Sequence, residues 1–342
     1  MIRVSFVGCG GMAAHYLPVY QNLDWVRLVN CIDPAIGVSD FGLALTDEID
    51  AVVINTPNHL HRPQAVAAIE ARKHVLLQKP VAPSVADAEA IQAAAEKSAR
   101  TVGLYMSYFD QPLVHDLRDL VAAGQLGNIV HCYARLMHKG GMMWSEEALK
   151  GNRNWRGSVE ETGGGCFIQL AVHYIHIFEW VTGARIVRAS GFQRNLHCPG
   201  LEGEDLAVAV FEFDSGSMAT IDTAWCANGE ELAIHGTAGR CVYRENRLSV
   251  SSACGPFAGR VVRYDGGLVP AFGGPQGEEQ TMEIKPPGFA DVSNPLNQHL
   301  QFLEAVRDGR PAPVSIASGV HDLRVVDAWY RSAREGRAVE VS

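Results

Sequence analysis

A glycine-rich turn between an apolar strand and a helix constrains the fold of this chain more than any other feature. Residues 2–7 are apolar and rich in β-branched side chains, as in a buried strand of a parallel sheet. The turn that follows reads Gly8-Cys9-Gly10-Gly11-Met12-Ala13, with the spacing Gly-x-Gly-x-x-Ala. The first glycine permits a tight turn, the second lets a pyrophosphate approach the backbone, and the small third residue allows close helix packing. The turn therefore predicts a dinucleotide site, with a plain α/β turn as the alternative.

An acidic residue at the end of the second strand favours the dinucleotide. Residues 26–32 form the next apolar run, which ends at Asp33. A carboxylate about 20 residues after such a turn binds the ribose 2′-hydroxyl and disfavours a 2′-phosphate. The next residues, Pro34, Ala35 and Ile36, provide no arginine to offset Asp33. We therefore predict NAD as the cofactor, with NADP less favoured.

Alternating strand and helix patterns predict a Rossmann domain over residues 1–111. Further strands are expected at 51–55, 74–78 and 102–106, and helices at 63–71 and 84–100. Successive β and α segments of this length are typical of a parallel sheet with helices on both faces.

Residues 112–342 predict an α+β domain with a large, mostly antiparallel open sheet. Between residues 186 and 250 the apolar pattern alternates with a period of two, which is typical of an antiparallel meander. Gly163 to Gly165 are expected to lead into a helix that runs through Thr182, and closing helices are expected at 297–307 and 320–335. The last helix can pack back on the first domain.

Three stretches have weaker patterns. Residues 37–41 are expected to form a vestigial strand, which would leave the adenine side of the cleft thinly covered. Residues 139–162 contain glycine, tryptophan and methionine without a clear period, and are predicted to be a loop over the cleft or a surface loop. Residues 255–295 are rich in glycine and proline and are also predicted to be a loop.

Several strands of the first domain end in glycine or polar residues, which places a cleft at the carboxyl edge of the sheet. Gly8 follows the first strand, Asn55 ends a later one, and Lys79-Pro80 follows the strand at 74–78. Proline prevents simple continuation of a strand. Lys79 is therefore the ionisable group best placed for chemistry in the cleft, and a solvated surface lysine is the alternative.

A long apolar helix carries three polar residues on one face. Gln169, His173 and His176 follow at intervals of four and three residues, so they lie on the same side of a helix. Burying them without partners would be costly, so we predict that His173 belongs to the site. A satisfied core histidine is the alternative. A metal site from His173, His176 and Cys166 or His61 lacks an aligned carboxylate, and no metal is predicted.

Several spaced motifs along the chain also occur together in one oxidoreductase family. They are the glycine turn, Thr56-Pro57-Asn58 with His61, Lys79-Pro80, residues 123–129, Gly163-Gly164-Gly165 with His173, and residues 328–337. In these motifs the chain resembles the Gfo/Idh/MocA family, the relatives of glucose–fructose oxidoreductase and inositol dehydrogenase. The resemblance covers nearly the whole chain. It implies an NAD(P)-dependent oxidoreductase that acts on a sugar, a cyclitol or a derivative, and a second domain whose open sheet forms an oligomer interface.

The motifs and the resemblance together give a set of expected site residues. Cofactor binding is assigned to Gly8, Gly10, Gly11, Met12, Ala13, Asp33, Thr56, Pro57, Asn58, His61, Gln78 and Lys79. Catalysis is assigned to Lys79, His173 and Gln169, and substrate binding to Tyr108, Trp155, Arg156 and His176. We expect Lys79 and His173 to flank the reacting hydroxyl, with His173 as the general acid/base.

The chain departs from the family pattern at positions beside the expected catalytic residues. Gln78 precedes the lysine where the family usually has glutamate, and Gln169 stands where aspartate often precedes the histidine. The dehydrogenase reading therefore has two alternatives. One is an NAD-dependent, redox-neutral glycoside hydrolase, and the other is an inactive protein that senses sugars.

Charge and cysteine content argue against other classes. The net charge of −9 without a basic block disfavours nucleic-acid and anionic-membrane partners. The eight cysteines are scattered without a Cys-x-x-Cys pair, and the chain opens on strand-like residues instead of a leader. We therefore expect a cytoplasmic protein that forms a homodimer or homotetramer through the C-terminal sheet and acts on a small polyol.

Overall fold

The computed structural model of the protein describes residues 1–254, 279–285 and 287–342. Its first sheet has five strands in the order β2-β1-β3-β4-β5, and every neighbouring pair is parallel. The strands are β1 (Ile2–Val7), β2 (Val26–Ile32), β3 (Ala51–Ile54), β4 (His74–Gln78) and β5 (Val102–Tyr105). The helices between them are α1 (Ala13–Gln21), α2 (His61–Glu70) and α3 (Val85–Glu96). The Rossmann prediction is confirmed.

The first sheet is buried on both faces, which explains why its strands read as continuous apolar runs. In β3, Ala51 and Val53 belong to the core that contains residues of α1. Val52 and Ile54 point the other way, into the larger core shared with α2 and α3. Successive side chains of a strand alternate between faces, so one apolar run fills both layers.

The connection from β2 to β3 differs from the prediction. It forms two short 3₁₀ turns, Pro34–Ile36 and Phe41–Ala44. The strand predicted at 37–41 is wrong: Val38 makes an isolated bridge with Asp33. Proline starts the first turn and Gly37 ends it at a φ of 80°, and this local geometry turns the chain away from an extended strand.

The second sheet has nine described strands, in the order β13-β12-β11-β10-β6-β9-β8-β7-β14. Its pairs are antiparallel except β6 with β9, which is parallel, so the prediction of a mostly antiparallel sheet is confirmed. The strands are β6 (Ile129–Met137), β7 (Ile186–Arg194), β8 (Leu206–Phe213), β9 (Met218–Ala224), β10 (Gly229–Gly236), β11 (Gly239–Arg244), β12 (Arg247–Ser252), β13 (Glu279–Glu283) and β14 (Val339–Glu340).

Helices cover one face of the second sheet and reach the first. They are α4 (Pro112–Ala122), α5 (Gly140–Leu149), α6 (Val159–Thr162), α7 (Cys166–Thr182), α8 (Gln298–Asp308) and α9 (Ile316–Glu335). Helix α7 is buried along almost its whole length. The closing helices pack on the first sheet: Phe302 of α8 joins the core of β1, and Arg324 of α9 pairs with Glu89 of α3.

Two loop predictions are corrected. The stretch 139–162 contains α5 and α6 together with a 3₁₀ turn at Trp155–Gly157. Within 255–295, residues 279–283 form a strand paired with β12, while 255–278 and 286 lie outside the described residues.

All eight cysteines are free thiols. None of the helices in the described ranges is both long and apolar enough to cross a membrane.

Candidate functional site

The glycine turn lies against the end of β3 and leaves open space in front of α1. Gly8 has a φ of 87°, and a Cβ there would lie 2.6 Å from the carbonyl carbon of Asn55. Glycine is therefore required by both backbone conformation and close approach. By contrast, a Cβ on Gly10 or Gly11 would meet nothing within 4 Å. Helix α1 has no side-chain cap, and its first amides, those of Ala13, Ala14 and His15, donate to the carbonyls of Gly10 and Met12. An anion would therefore lie against the open glycine turn, at the positive end of the helix dipole.

The side chain of Asp33 holds the glycine turn by hydrogen bonds. Its carboxylate accepts hydrogen bonds from the backbone N–H of Cys9, at 2.7 Å, and from that of Ala35, at 2.8 Å. Each carboxylate oxygen has a second lone pair, so the group can still accept hydrogen bonds from ribose hydroxyls. Asp33 is half-buried and lines the same cleft as the glycines. The glycine turn, helix end and carboxylate therefore fit a dinucleotide without a 2′-phosphate.

The cleft that begins at this turn runs between the two sheets and has a volume of about 1300 Å³. One wall comes from the carboxyl ends of β1, β2, β3 and β4. The opposite wall comes from α7, from the end of β6 and from β10. The volume exceeds the usual range of about 300–1,000 Å³ for a drug-sized ligand, so the cleft has room for a dinucleotide and a second molecule.

Lys79 connects the two walls of the cleft through a hydrogen bond. It follows β4, and its Nζ donates a hydrogen bond of 2.8 Å to the backbone carbonyl of Gln169 on α7. Burial, and after it the positive charge of Arg156, lower the pKa of Lys79 to about 7. The direction agrees with the expectation for a desolvated lysine. Lys79 can therefore exist as a neutral amine near neutral pH.

Gln169 and His173 lie beside Lys79 on α7 with polar atoms left over. Both line the cleft, and both side chains are less than 10% exposed. Among the described residues, Nε2 of Gln169 and Nδ1 of His173 have no hydrogen-bond partner. Burial, followed by the charges of Lys79 and His176, lowers the pKa of His173 well below its usual value. This direction favours the neutral imidazole at pH 7 and argues against the expectation that His173 titrates in the useful range.

Aromatic and cationic side chains form the side of the cleft nearest α5. The guanidinium carbon of Arg156 lies 4.4 Å from the ring centre of Trp155 and 5.0 Å from that of Trp144. Tyr108 packs edge-on against His173, with ring centres 4.7 Å apart. All four of these cleft-lining residues, Tyr108, Trp144, Trp155 and Arg156, lie where they can contact a bound polyol.

The remaining cofactor candidates surround the turn after β3. Thr56, Pro57, Asn58 and Gln78 all line the cleft. The side-chain N–H of Asn58 donates to the carbonyl of Thr162, at 2.8 Å, and so ties this turn to the end of α6. The amide of Gln78 donates to the side-chain oxygen of Asn55, at 3.1 Å.

Two of the predicted site histidines lie outside the cleft lining. His61 is buried, and its ring nitrogens lie 2.9 Å from the carbonyl of Pro80 and 3.0 Å from that of Thr56. Burial lowers the pKa of His61 to about 4, so the neutral ring can donate to one of these carbonyls. His176 donates from Nδ1 to Asp322 of α9, at 2.7 Å. These histidines support the backbone and the helix packing.

His138 and Glu230 are two of the cleft residues that the sequence analysis missed. His138 follows the last residue of β6, and its Nδ1 accepts a hydrogen bond from the N–H of Gly140. Burial and the charges of Lys79 and Arg156 lower the pKa of His138. Glu230, near the start of β10, adds a carboxylate to the lining, and burial raises its pKa. His138 lies directly after a strand, and the same kind of position identified Lys79 in the sequence. This signal could therefore have identified His138 as well.

Two family models match this chain. Residues 2–106 match the model described as an oxidoreductase family with an NAD-binding Rossmann fold. Residues 114–242 match the model of the GFO/IDH/MocA C-terminal domain.

Curated relatives and a solved structure are similar to this chain. A 1,5-anhydro-D-fructose reductase of Ensifer adhaerens is 30% identical over 200 residues, which are 58% of this chain and 57% of that protein. A 2,7-anhydro-N-acetylneuraminate hydratase of Escherichia coli is 27% identical over 262 residues, 70% of this chain and 66% of that protein. The match thus spans between about half and two thirds of these relatives. Levoglucosan dehydrogenase, in complex with NADH and levoglucosan, shares the fold with a TM-score of 0.81 at 19% identity, over 99% of both chains.

Proposed function

Because this chain belongs to the Gfo/Idh/MocA family of NAD-binding oxidoreductases, we propose that it is an NAD-dependent dehydrogenase. Its substrate is a sugar, a cyclitol or a sugar derivative, and the reaction converts a secondary hydroxyl to a ketone. The observation that carries this proposal is the contact between Lys79 and the Gln169 carbonyl, in the same cleft as the glycine turn. It brings an amine with a lowered pKa to a cleft that fits the dinucleotide.

The dinucleotide would be held by the glycine turn, by the dipole at the N-terminal end of α1 and by Asp33. When bound, NAD supplies the acceptor for the hydride that leaves the carbon bearing the hydroxyl. The protein must then remove the proton from the hydroxyl oxygen, and a positioned base contributes about 10²–10⁴-fold to such a step.

Lys79 accepts this proton. Its pKa is lowered to about 7, so a large fraction is unprotonated near neutral pH. His173 remains neutral, because burial lowers its pKa well below its usual value, and it acts by hydrogen bonding to the hydroxyl. This division of roles reverses the one expected from the sequence, in which His173 was the general acid/base. Gln169 orients the substrate through its side-chain amide, which has no partner in the described residues.

The test is substitution of Lys79 by methionine, which keeps the length of the side chain and removes the amine. We expect kcat to fall by about 10²–10⁴-fold, measured as NADH formation during a screen of polyols, sugars and nucleotide sugars. NADH binding, followed by fluorescence titration, should be unchanged. A Lys79→Met variant with near-normal turnover would refute the assignment.

A redox-neutral reaction is the second candidate, since one relative is named a hydratase and Gln169 replaces a carboxylate. Such an enzyme would oxidise its substrate transiently and release a product without net NADH. Chromatography of the products separates the two candidates, because a dehydrogenase forms one ketone per NADH. A sugar-sensing protein would bind NAD and sugar without forming either product.

We also propose that the protein forms a homodimer or homotetramer in the cytoplasm. The open face of the second sheet supports this, because apolar side chains lie exposed on neighbouring strands there, with Phe192 73% exposed beside Val208 and Val210. Exposed apolar patches often mark protein interfaces. Sedimentation of the wild type and of Phe192→Lys tests this, since the substitution should favour the monomer. The domain boundary at 111–112 can be tested by expressing each part.

A further inference from the structure

One cation in the cleft, the guanidinium of Arg156, has no carboxylate partner among the described residues. The guanidinium of Arg156 pairs with no carboxylate within residues 1–254, 279–285 and 287–342. Three residues earlier, Arg153 has a carboxylate partner in Glu161 although its side chain is 77% exposed. Within the described part of the chain, the arginine nearer bulk water thus has a counter-charge, and the one inside the cleft does not.

The surroundings of Arg156 are shaped for a planar anion. Trp144 and Trp155 stack against the guanidinium, at 5.0 and 4.4 Å from their ring centres. Stacking on aromatic rings restricts the guanidinium plane, and the N–H groups at its edges match a carboxylate in a bidentate arrangement. Burial lowers the pKa of Arg156, the direction expected for a charge that is only partly solvated. An anion at this position would relieve that penalty.

Among the described residues, the titratable groups on which the charge of Arg156 acts are bases, not carboxylates. The charge of Arg156 reaches Lys79 and His138, because it lowers the pKa of both. The carboxylates of the described lining are Asp33 and Glu230. Asp33 accepts hydrogen bonds from the amides of Cys9 and Ala35. The charge of Glu230 acts on three tyrosines, Tyr108, Tyr174 and Tyr243. The part of the cleft next to Lys79 therefore favours a negatively charged molecule.

We propose that Arg156 binds the carboxylate of the substrate and that the enzyme prefers a sugar acid to a neutral sugar of the same shape. This inference rests on the proposed dehydrogenase function and names its substrate class. One unpaired guanidinium matches one negative charge, because Lys79 is engaged with the reacting hydroxyl. A carboxylate meets this requirement better than a phosphate monoester, which carries nearly two charges at pH 7.

The experiment measures binding apart from turnover. The full-length protein with saturating NADH is titrated calorimetrically with D-glucuronate and with its neutral counterpart D-glucose, and likewise with D-gluconate and sorbitol. We expect the acid of at least one pair to bind about 10- to 100-fold more tightly, the gain expected for hydrogen bonds to a charged group. Arg156→Met should remove the preference, and Arg156→Lys should retain part of it.

Arg153→Met is the matched control, because this arginine lies outside the cleft lining and should leave the preference intact. Equal binding of acid and neutral sugar, or no binding of either acid, overturns the inference. Tighter binding of glucose 6-phosphate than of both acids overturns the choice of carboxylate. Acid preference without NADH formation from any polyol would uphold this subsite and refute the dehydrogenase.

Discussion

The buried polar side chains at the two ends of α7 differ in whether their polar atoms have hydrogen-bond partners among the described residues. Toward the cleft, Gln169 and His173 are buried, and each has a polar atom without a partner in the described residues. Toward α9, His176 donates to Asp322, at 2.7 Å. One turn further, Glu179 accepts from the backbone of Ile186 and from the side chain of His321. One pair of polar residues on this apolar helix thus has atoms without a hydrogen-bond partner in the described residues, and the other pair is hydrogen-bonded.

This difference separates a binding role from a structural one. Buried polar groups in folded proteins are almost always hydrogen-bonded, so each exception calls for an explanation. The cleft end of α7 holds atoms that a ligand can satisfy. At the other end, His176 and Glu179 form hydrogen bonds that hold α7 against α9. Substitutions at the cleft end of α7 should therefore lower activity, and substitutions at the other end should lower stability.

Substitution of His173 by leucine should have the largest effect on activity with the least on stability. The loss of one positioned hydrogen-bond donor costs about 10²–10³-fold in kcat. The apolar side chain removes an unsatisfied nitrogen, so the melting temperature should stay the same or rise. Steady-state kinetics and thermal melting measure the two effects. A variant that melts much lower would show that His173 is a core residue.

Substitution of His176 by alanine should give the reverse pattern. It leaves the buried carboxylate of Asp322 without its partner, and breaking a buried pair costs about 3–5 kcal/mol of the free energy of unfolding. Urea denaturation measures this loss, and KM for the best substrate should change little at a temperature where the variant is folded. A large rise in KM with unchanged stability would instead make His176 a substrate ligand, as the sequence analysis predicted.

The pH dependence of oxidation should report Lys79, at the cleft end of α7. Burial and Arg156 lower its pKa to about 7, and oxidation needs the unprotonated amine. The value of kcat/KM should therefore fall about tenfold per pH unit below pH 7 and level off above it. Reduction of the ketone should show the opposite slope, because it needs the protonated lysine. In Arg156→Met the inflection should move to higher pH, since a neighbouring positive charge is lost.

Substitution of Gln169 by leucine should have the smallest effect. Lys79 binds the backbone carbonyl of this residue, so that contact survives the loss of the side chain. We expect kcat/KM to fall by about tenfold, the value of one hydrogen bond to the substrate. If activity is unchanged for every substrate, Gln169 does not contact the sugar.

Local patterns were sufficient to predict the part of the site formed by the first sheet. Gly8, Asp33 and Lys79 each follow a strand of the parallel sheet, and the carboxyl ends of such strands meet at one edge. The strand period and the residue after each strand therefore determined both the fold and one wall of the cleft. The direction of the Lys79 pKa shift also follows from this position.

The opposite wall depends on contacts between distant residues. Helix α5 was predicted to be a loop because its first turn contains two glycines, yet Gly141 is needed there: a Cβ would lie 2.3 Å from Cβ of Trp225. Glu230 faces the cleft because β10 pairs with β6, which no local pattern reveals. His176 shares the face of Gln169, but seven residues place it about 10 Å further along the axis. Direction around a helix was predictable, and position along the cleft was not.

The two hydrogen bonds of Asp33 limit how this enzyme could be redesigned for NADP. Its carboxylate holds the amide of Cys9 in the glycine turn and the amide of Ala35 in the next turn. Replacing it by a neutral or basic residue would remove the repulsion of a 2′-phosphate and, in the same step, release both loops from each other. A successful exchange of cofactor therefore requires a second substitution that restores an acceptor for the Cys9 amide. In this protein, a substitution at Asp33 therefore changes the coenzyme preference and the conformation of the glycine turn at the same time.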